Sequence, residues 1–200
     1  MKSKIFLDMP LNLFQDTYAI IDSLTGQTLL DYLTQLAGYS TAPQEIERRF
    51  TLKSIPTGLL SPCRYEQSYL RTDPEEIRIR AKFTDASESY SMTIKTHGGV
   101  KRAELDFELT THQYGWLDSQ VIVIPIVKLS GIYLGGNGEV SMSEVDRGHD
   151  WSYCYAEVEF PNEDAASAYI PDFEFLSEVT ADPYYNMRNT WERTRFIQED

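Results

Sequence analysis

Glu45-Ile46-Glu47-Arg48-Arg49-Phe50 decides how this chain is read. Side chains on a β-strand point alternately to opposite faces. Glu45, Glu47 and Arg49 therefore share one face, and Ile46, Arg48 and Phe50 share the other. Two carboxylates and a guanidinium on one face are costly to bury in a dry core. They suit a wet surface that handles a cation and an anion together.

The same alternation recurs down the chain. Ile77, Ile79, Ala81 and Phe83 interleave with Arg78, Arg80 and Lys82, and Met92 and Ile94 with Ser91, Thr93 and Lys95. Ala103, Leu105 and Phe107 interleave with Arg102, Glu104, Asp106 and Glu108, and Cys154, Ala156, Val158 and Phe160 with Tyr153, Tyr155, Glu157 and Glu159. Like charges two residues apart repel on a solvent face, so an exposed sheet gains nothing from them. Strands closed into a barrel with these faces inward would enclose a charged, water-filled cavity. The apolar faces would then point outward under helices from the two ends of the chain. The fold class expected is α+β, mainly antiparallel β, with flanking helices. Helical spacing predicts two short helices over residues 11–38, another over 163–170 and a last one over 184–198. His97-Gly98-Gly99 reads as a hairpin turn. Gly135-Gly136-Asn137-Gly138 lacks the Lys-Ser/Thr of a phosphate loop and reads as a flexible connection.

At 200 residues the chain fits one domain with a helical extension over 1–42 packed on a barrel domain over 43–200. Its net charge of −13 argues against binding a nucleic acid duplex or an anionic membrane. A local basic cluster or a bound cation can still hold a small anion at short range. The 2 cysteines, Cys63 and Cys154, are too few for a disulfide scaffold. Asp8 and Pro10 interrupt any signal-peptide core, and the expected setting is cytoplasmic. His97, His112 and His149 read as surface residues in turns and polar loops, and Trp116, Trp151, Tyr184 and Tyr185 as packing residues.

Glu45 and Glu47, with Glu157 and Glu159, form two acidic pairs whose oxygens are hard ligands suited to Mg²⁺ or Mn²⁺. The competing reading is a pair of solvated edge-strand faces. Arg49, Arg78, Arg80, Lys82, Lys95, Arg102 and Lys128 form basic ladders able to hold phosphate oxygens. Their competing reading is cross-strand pairing with Glu104, Asp106 and Glu108.

These residues resemble the CYTH family, the triphosphate tunnel metalloenzymes. Glu45-Ile46-Glu47-Arg48-Arg49 is similar to its N-terminal Glu-x-Glu-x-Lys signature, with Arg in the last place. Gln67-Ser68-Tyr69-Leu70-Arg71, Ile77-Arg78-Ile79-Arg80, Met92-Thr93-Ile94-Lys95, Arg102-Ala103-Glu104-Leu105-Asp106 and Ala156-Glu157-Val158-Glu159-Phe160 follow in family order. Glu178-Val179-Thr180-Ala181-Asp182 resembles the closing segment. The resemblance covers residues 43–190. It implies an eight-stranded antiparallel barrel open as a tunnel and a metal-dependent phosphohydrolase for a small triphosphate or polyphosphate, with a homodimer compatible. In that frame Glu45, Glu47, Glu157 and Glu159 hold the metal. Glu104 and Asp106 position water, and Arg49 joins them in catalysis. Arg49, Arg78, Arg80, Lys82, Lys95, Arg102 and Lys128 grip phosphate. The chain departs from the family pattern where Ser130 replaces an Arg and Ser143 an acid. The alternatives are an adenylate cyclase of the same fold and a catalytically degenerate polyphosphate or nucleotide binder.

Overall fold

The computed structural model describes residues 5–6, 34, 39–73, 75–96 and 100–196. Its strands are β1 (Ile5–Phe6), β2 (Gln44–Leu52), β3 (Leu60–Arg71), β4 (Glu76–Phe83), β5 (Glu88–Lys95), β6 (Lys101–Leu109), β7 (Ile126–Gly135), β8 (Gly138–Val145), β9 (Tyr153–Glu159) and β10 (Ser177–Glu178). The helices are α1 (Thr111–Asp118), α2 (Glu163–Ala168) and α3 (Met187–Arg195).

Eight of the strands, β2 to β9, close into an antiparallel barrel in the order β6-β5-β4-β3-β7-β8-β9-β2. The seam is short: Gln44, Glu45 and Ile46 pair with Ala103, Arg102 and Lys101. Beyond it β2 and β6 separate. The freed edge of β2 takes β10 at Phe50 and Thr51, and β6 takes β1 at Phe107 and Glu108. Both edges thus keep hydrogen-bonding partners.

The outward faces are apolar, as the alternation requires. Ile77, Ile79, Met92, Ile94, Leu105 and Phe107 form one outer core, covered by Leu117 and Trp116 of α1. Phe50, Val140, Met142, Ala156 and Val158 form a second, covered by Phe160, Tyr169 and Phe173. The helix α1 was missed by helical spacing, and His112 lies on it rather than in a loop. Its start is a capping box, in which the Thr110 hydroxyl accepts from the Gln113 N–H and the Gln113 side chain accepts from the Thr110 N–H.

The final helix does not cover an outer face. In α3, Met187 and Trp191 pack against Tyr69, Ile126, Val145 and Tyr155, all of which belong to the inward-facing sets of their strands. This helix therefore plugs one end of the barrel. The barrel matches the expected tunnel, and α3 gives its charged lumen an apolar floor at one end. The Gly135-Gly136-Asn137-Gly138 turn is pinned rather than loose. Asn137 donates from its N–H to Asp172 Oδ2 at 3.2 Å and from Nδ2 to the Ile170 carbonyl at 3.0 Å. A Cβ on Gly135 would lie 2.5 Å from Asp172 Oδ1, so a larger residue there would make this exposed carboxylate turn away. The helices expected over 11–38 lie outside the described residues, save for the buried, helical Thr34, as does the turn at 97–99.

Candidate active site

The lumen encloses a cavity of about 270 Å³ above the α3 floor. All the sequence-selected site residues except Lys82 line it. Glu159 sits at its exposed rim. Lys82 lies outside the lining, with its Nζ 5.7 Å from the Tyr65 ring. The lining splits into two unlike walls.

On the wall built by β2, β5, β6 and β9, acids and bases neutralise each other in one chain of contacts. Glu104 pairs with Lys95, and Lys95 Nζ reaches Glu45 Oε2 at 2.9 Å. Arg102 bridges Glu45 Oε2 at 2.8 Å and Glu47 Oε1 at 2.6 Å. Arg49 bridges Glu47 Oε1 at 2.9 Å and Glu157 Oε1 at 2.7 Å, and donates from Nη1 to the Tyr185 carbonyl at 2.9 Å. The register explains the juxtaposition: Glu47 stands opposite Glu159 and Arg49 opposite Glu157 on β9, and Glu45 opposite Arg102 on β6.

Burial works against the Glu157 carboxylate, but Arg49 and Lys128 hold its pKa down at about 2. Burial likewise opposes charge on Glu45, and Lys95 and Arg102 keep it well below the usual carboxylate range. Glu104 goes the other way. Burial, helped by Glu45 and Asp106, pushes it up to about 7 despite Lys95.

The wall built by β3, β4 and β7 carries Arg78, Arg80 and Lys128. None of the three forms an ion pair with a carboxylate among the described residues; each is held by neutral groups. Arg78 Nη2 donates to Thr93 Oγ1 at 3.0 Å, and Thr93 donates on to Asp106 Oδ1 at 2.7 Å. Arg78 Nε is buried with no partner. Arg80 donates from Nε and Nη2 to Gln67 Oε1 at 3.2 and 2.8 Å. Lys128 Nζ donates to the Tyr155 hydroxyl at 2.6 Å and lies 5.7 Å from the Tyr65 ring. Burial, with the charges of Arg80, Arg78 and Arg49, brings the Lys128 pKa down to about 7 against the pull of Glu157. Burial and Arg78 also lower that of Arg80. Arg78 differs: burial opposes its charge, but Tyr69, Glu76, Glu104 and Asp106 together hold its pKa above the ordinary value. Arg80 and Lys128, buried with no directly paired carboxylate among the described residues, carry an electrostatic cost that a bound anion would relieve.

Sequence reasoning missed Glu76, Tyr65, Gln67, Ser141, Asn186 and Met187 as lining residues, and gave Tyr155, on the inward face with Glu157, no task. Period-two alternation with Arg78 on β4 would have placed Glu76. Asn186 and Met187 reach the cavity only because α3 enters the barrel, which no local pattern reveals. Ser130 and Ser143 face one another, their hydroxyls 2.6 Å apart, so that stretch of wall is neutral.

The four acidic residues proposed for a metal supply only carboxylate oxygens, the donor type that hard divalent ions take. Among the described residues no three Asp, Glu, His or Cys side chains converge as a ready cation cage. Glu45, Glu47 and Glu157 are each occupied by Lys or Arg instead. The donor set fits such an ion on condition that these carboxylates exchange partners.

A closed antiparallel β-barrel with its charges inside, acids and bases on one wall and unmatched bases on the other, defines the class of this protein. No protein-family model matches the chain. It is 34% identical over 145 residues to the inorganic triphosphatase of Nitrosomonas europaea, across 70% of this chain and 92% of that one. The chain belongs to the family of that enzyme. Similar crystal structures include an inorganic triphosphatase, 31% identical over 73% of this chain and 93% of that one, with a TM-score of 0.49. A putative adenylate cyclase from Bacillus halodurans is 13% identical over 78% and 94%, with a TM-score of 0.44.

Proposed function

We propose that this protein is a metal-dependent phosphohydrolase of the CYTH type that acts on a small triphosphate, inorganic triphosphate foremost. The observation that carries this reading is the wall of Arg78, Arg80 and Lys128, three lumen cations with no ion-paired carboxylate among the described residues, facing a wall rich in carboxylates. A cavity of about 270 Å³ suits a compact polar anion and lies just below the ~300–1,000 Å³ of ordinary organic-ligand pockets. The sequence relationship to an inorganic triphosphatase points the same way.

Phosphoryl transfer asks for positioning and charge neutralisation more than for covalent chemistry. Arg78, Arg80 and Lys128 bind the phosphate chain from one side. Arg49, Lys95 and Arg102, which pair with Glu45, Glu47 and Glu157, would bind it from the other. Glu45, Glu47, Glu157 and the rim residue Glu159 would hold Mg²⁺ or Mn²⁺. When bound, the ion supplies charge neutralisation and polarises a phosphoryl oxygen. Glu104, with a pKa near 7, can take or give a proton at neutral pH. It and Asp106, which accepts from Thr93, are placed to orient attacking water. The α3 floor keeps bulk water out of the far end.

The test is phosphate release from inorganic triphosphate, thiamine triphosphate and ATP, with Mg²⁺ and with Mn²⁺, with products identified. Metal-dependent release from inorganic triphosphate supports the reading. Cyclic AMP with pyrophosphate from ATP identifies a cyclase, and tight triphosphate binding without turnover identifies a degenerate binder.

A further inference from the structure

Gln67 is fully buried on the inward face of β3, in the middle of the cationic wall, and the chemistry above gives it no task. Its orientation is chemically forced. Arg80 can only donate, so the Gln67 oxygen must face it, and it accepts from both Nε and Nη2. The Gln67 nitrogen then donates to the Tyr69 hydroxyl at 2.7 Å, which fixes the amide from behind. The Tyr65 ring lies 4.9 Å from the Arg80 guanidinium carbon and braces a third side. Arg80 is thus held by an amide oxygen, an aromatic face and its own strand, and pairs with no carboxylate among the described residues.

The contrast with the opposite wall is informative. There Arg49 and Arg102 are aimed by glutamates, which also cancel their charge. Glutamate at position 67 would have the same length as Gln67 and would accept the same two bonds. It would orient Arg80 equally well, and it would neutralise it.

We propose that Gln67 is a positioning residue for anion binding, aiming Arg80 into the cavity while leaving its charge available to a phosphate oxygen. This rests on reading the cavity as a triphosphate site. The function depends on the neutrality of the amide, not merely on its shape.

That distinction gives an experiment whose two readouts run in opposite orders. Triphosphate binding is measured by calorimetry, and stability by thermal unfolding, on the whole chain carrying Gln67→Glu or Gln67→Leu. Gln67→Glu keeps both bonds to Arg80 and weakens triphosphate binding by at least about tenfold, because the anion now competes with a buried carboxylate. Gln67→Leu keeps the positive charge but strands the Arg80 donors and the Tyr69 hydroxyl, so it weakens binding only about three- to fivefold while lowering stability more. Binding therefore falls in the order wild type, Gln67→Leu, Gln67→Glu, and stability in the order wild type, Gln67→Glu, Gln67→Leu. If both properties fall in the same order, Gln67 is a structural residue and the inference is overturned. If Gln67→Glu does not fold, Tyr69→Phe serves. It removes the second anchor of the amide, so that only Arg80 itself still holds the oxygen that aims it; binding weakens by about twofold or more, whereas an unchanged affinity contradicts the inference. Wild-type protein that binds no triphosphate overturns the reading of the cavity itself, and this inference with it. Normal wild-type binding that Gln67→Glu leaves intact overturns this inference alone.

Discussion

Lys128 is the residue whose chemistry depends most directly on what fills the cavity. Its pKa is about 7, because burial and the charges of Arg80, Arg78 and Arg49 disfavour its protonated form. The unfolded chain protonates this lysine near its ordinary value of about 10.4. Between those limits the unfolded state binds the extra proton, so this group makes stability rise with pH from about 7 to about 10.4. A bound triphosphate reverses the balance by supplying negative charge. Calorimetry at pH 8 in two buffers of different ionisation enthalpy should show proton uptake on triphosphate binding, and Lys128→Gln should remove most of it. Glu47 makes the second residue-scale case. It accepts from both Arg49 and Arg102, each of which keeps one other carboxylate. Glu47→Ala should therefore cost less than the roughly 3–5 kcal/mol of a fully broken buried pair, yet cut phosphate release by more than about tenfold if Glu47 holds the metal. At this scale the alternation of Glu45, Glu47 and Arg49 with Ile46, Arg48 and Phe50 was legible because the two sets differ sharply in chemistry. Gln67 was not, since a lone amide on a strand looks the same facing a charged lumen or facing solvent.

Among the elements, α1 and the β7–β8 hairpin show how local signals can be misread. Helix α1 carries little apolar periodicity, and only its capping box marks it. Thr110→Ala should destabilise the protein by about 1 kcal/mol in thermal or denaturant unfolding. The Gly135-Gly136 turn suggests flexibility because glycine permits many conformations. Here it permits close contact with Asp172. Gly135→Ala should cost up to about 1 kcal/mol, because the exposed Asp172 carboxylate can turn away at the loss of its hydrogen bond from Asn137. Adding Asp172→Ala should recover part of the loss, so that the two substitutions are not additive. Such a contact, between residues 37 positions apart, leaves no trace in either segment read alone.

The whole molecule places a cationic wall inside a chain of net charge −13, so global charge described its exterior and not its site. Barrel closure was legible because charged faces repeated on sequence-distant strands. The plug was not, because the apolar residues of α3 serve equally well on an outer face or in a barrel end. Trp191 is almost wholly buried and lies 5.6 Å from the Tyr69 ring. Trp191→Ala should cost about 3–5 kcal/mol, read by thermal unfolding. The central claim is that unmatched lumen cations and a facing set of carboxylates jointly serve a triphosphate and a divalent ion. Steady-state phosphate release from inorganic triphosphate, with and without Mg²⁺ or Mn²⁺, tests it most directly. The account predicts turnover that requires the ion and is lost in Arg80→Ala; turnover that persists undiminished in metal-chelated protein or in Arg80→Ala would contradict it.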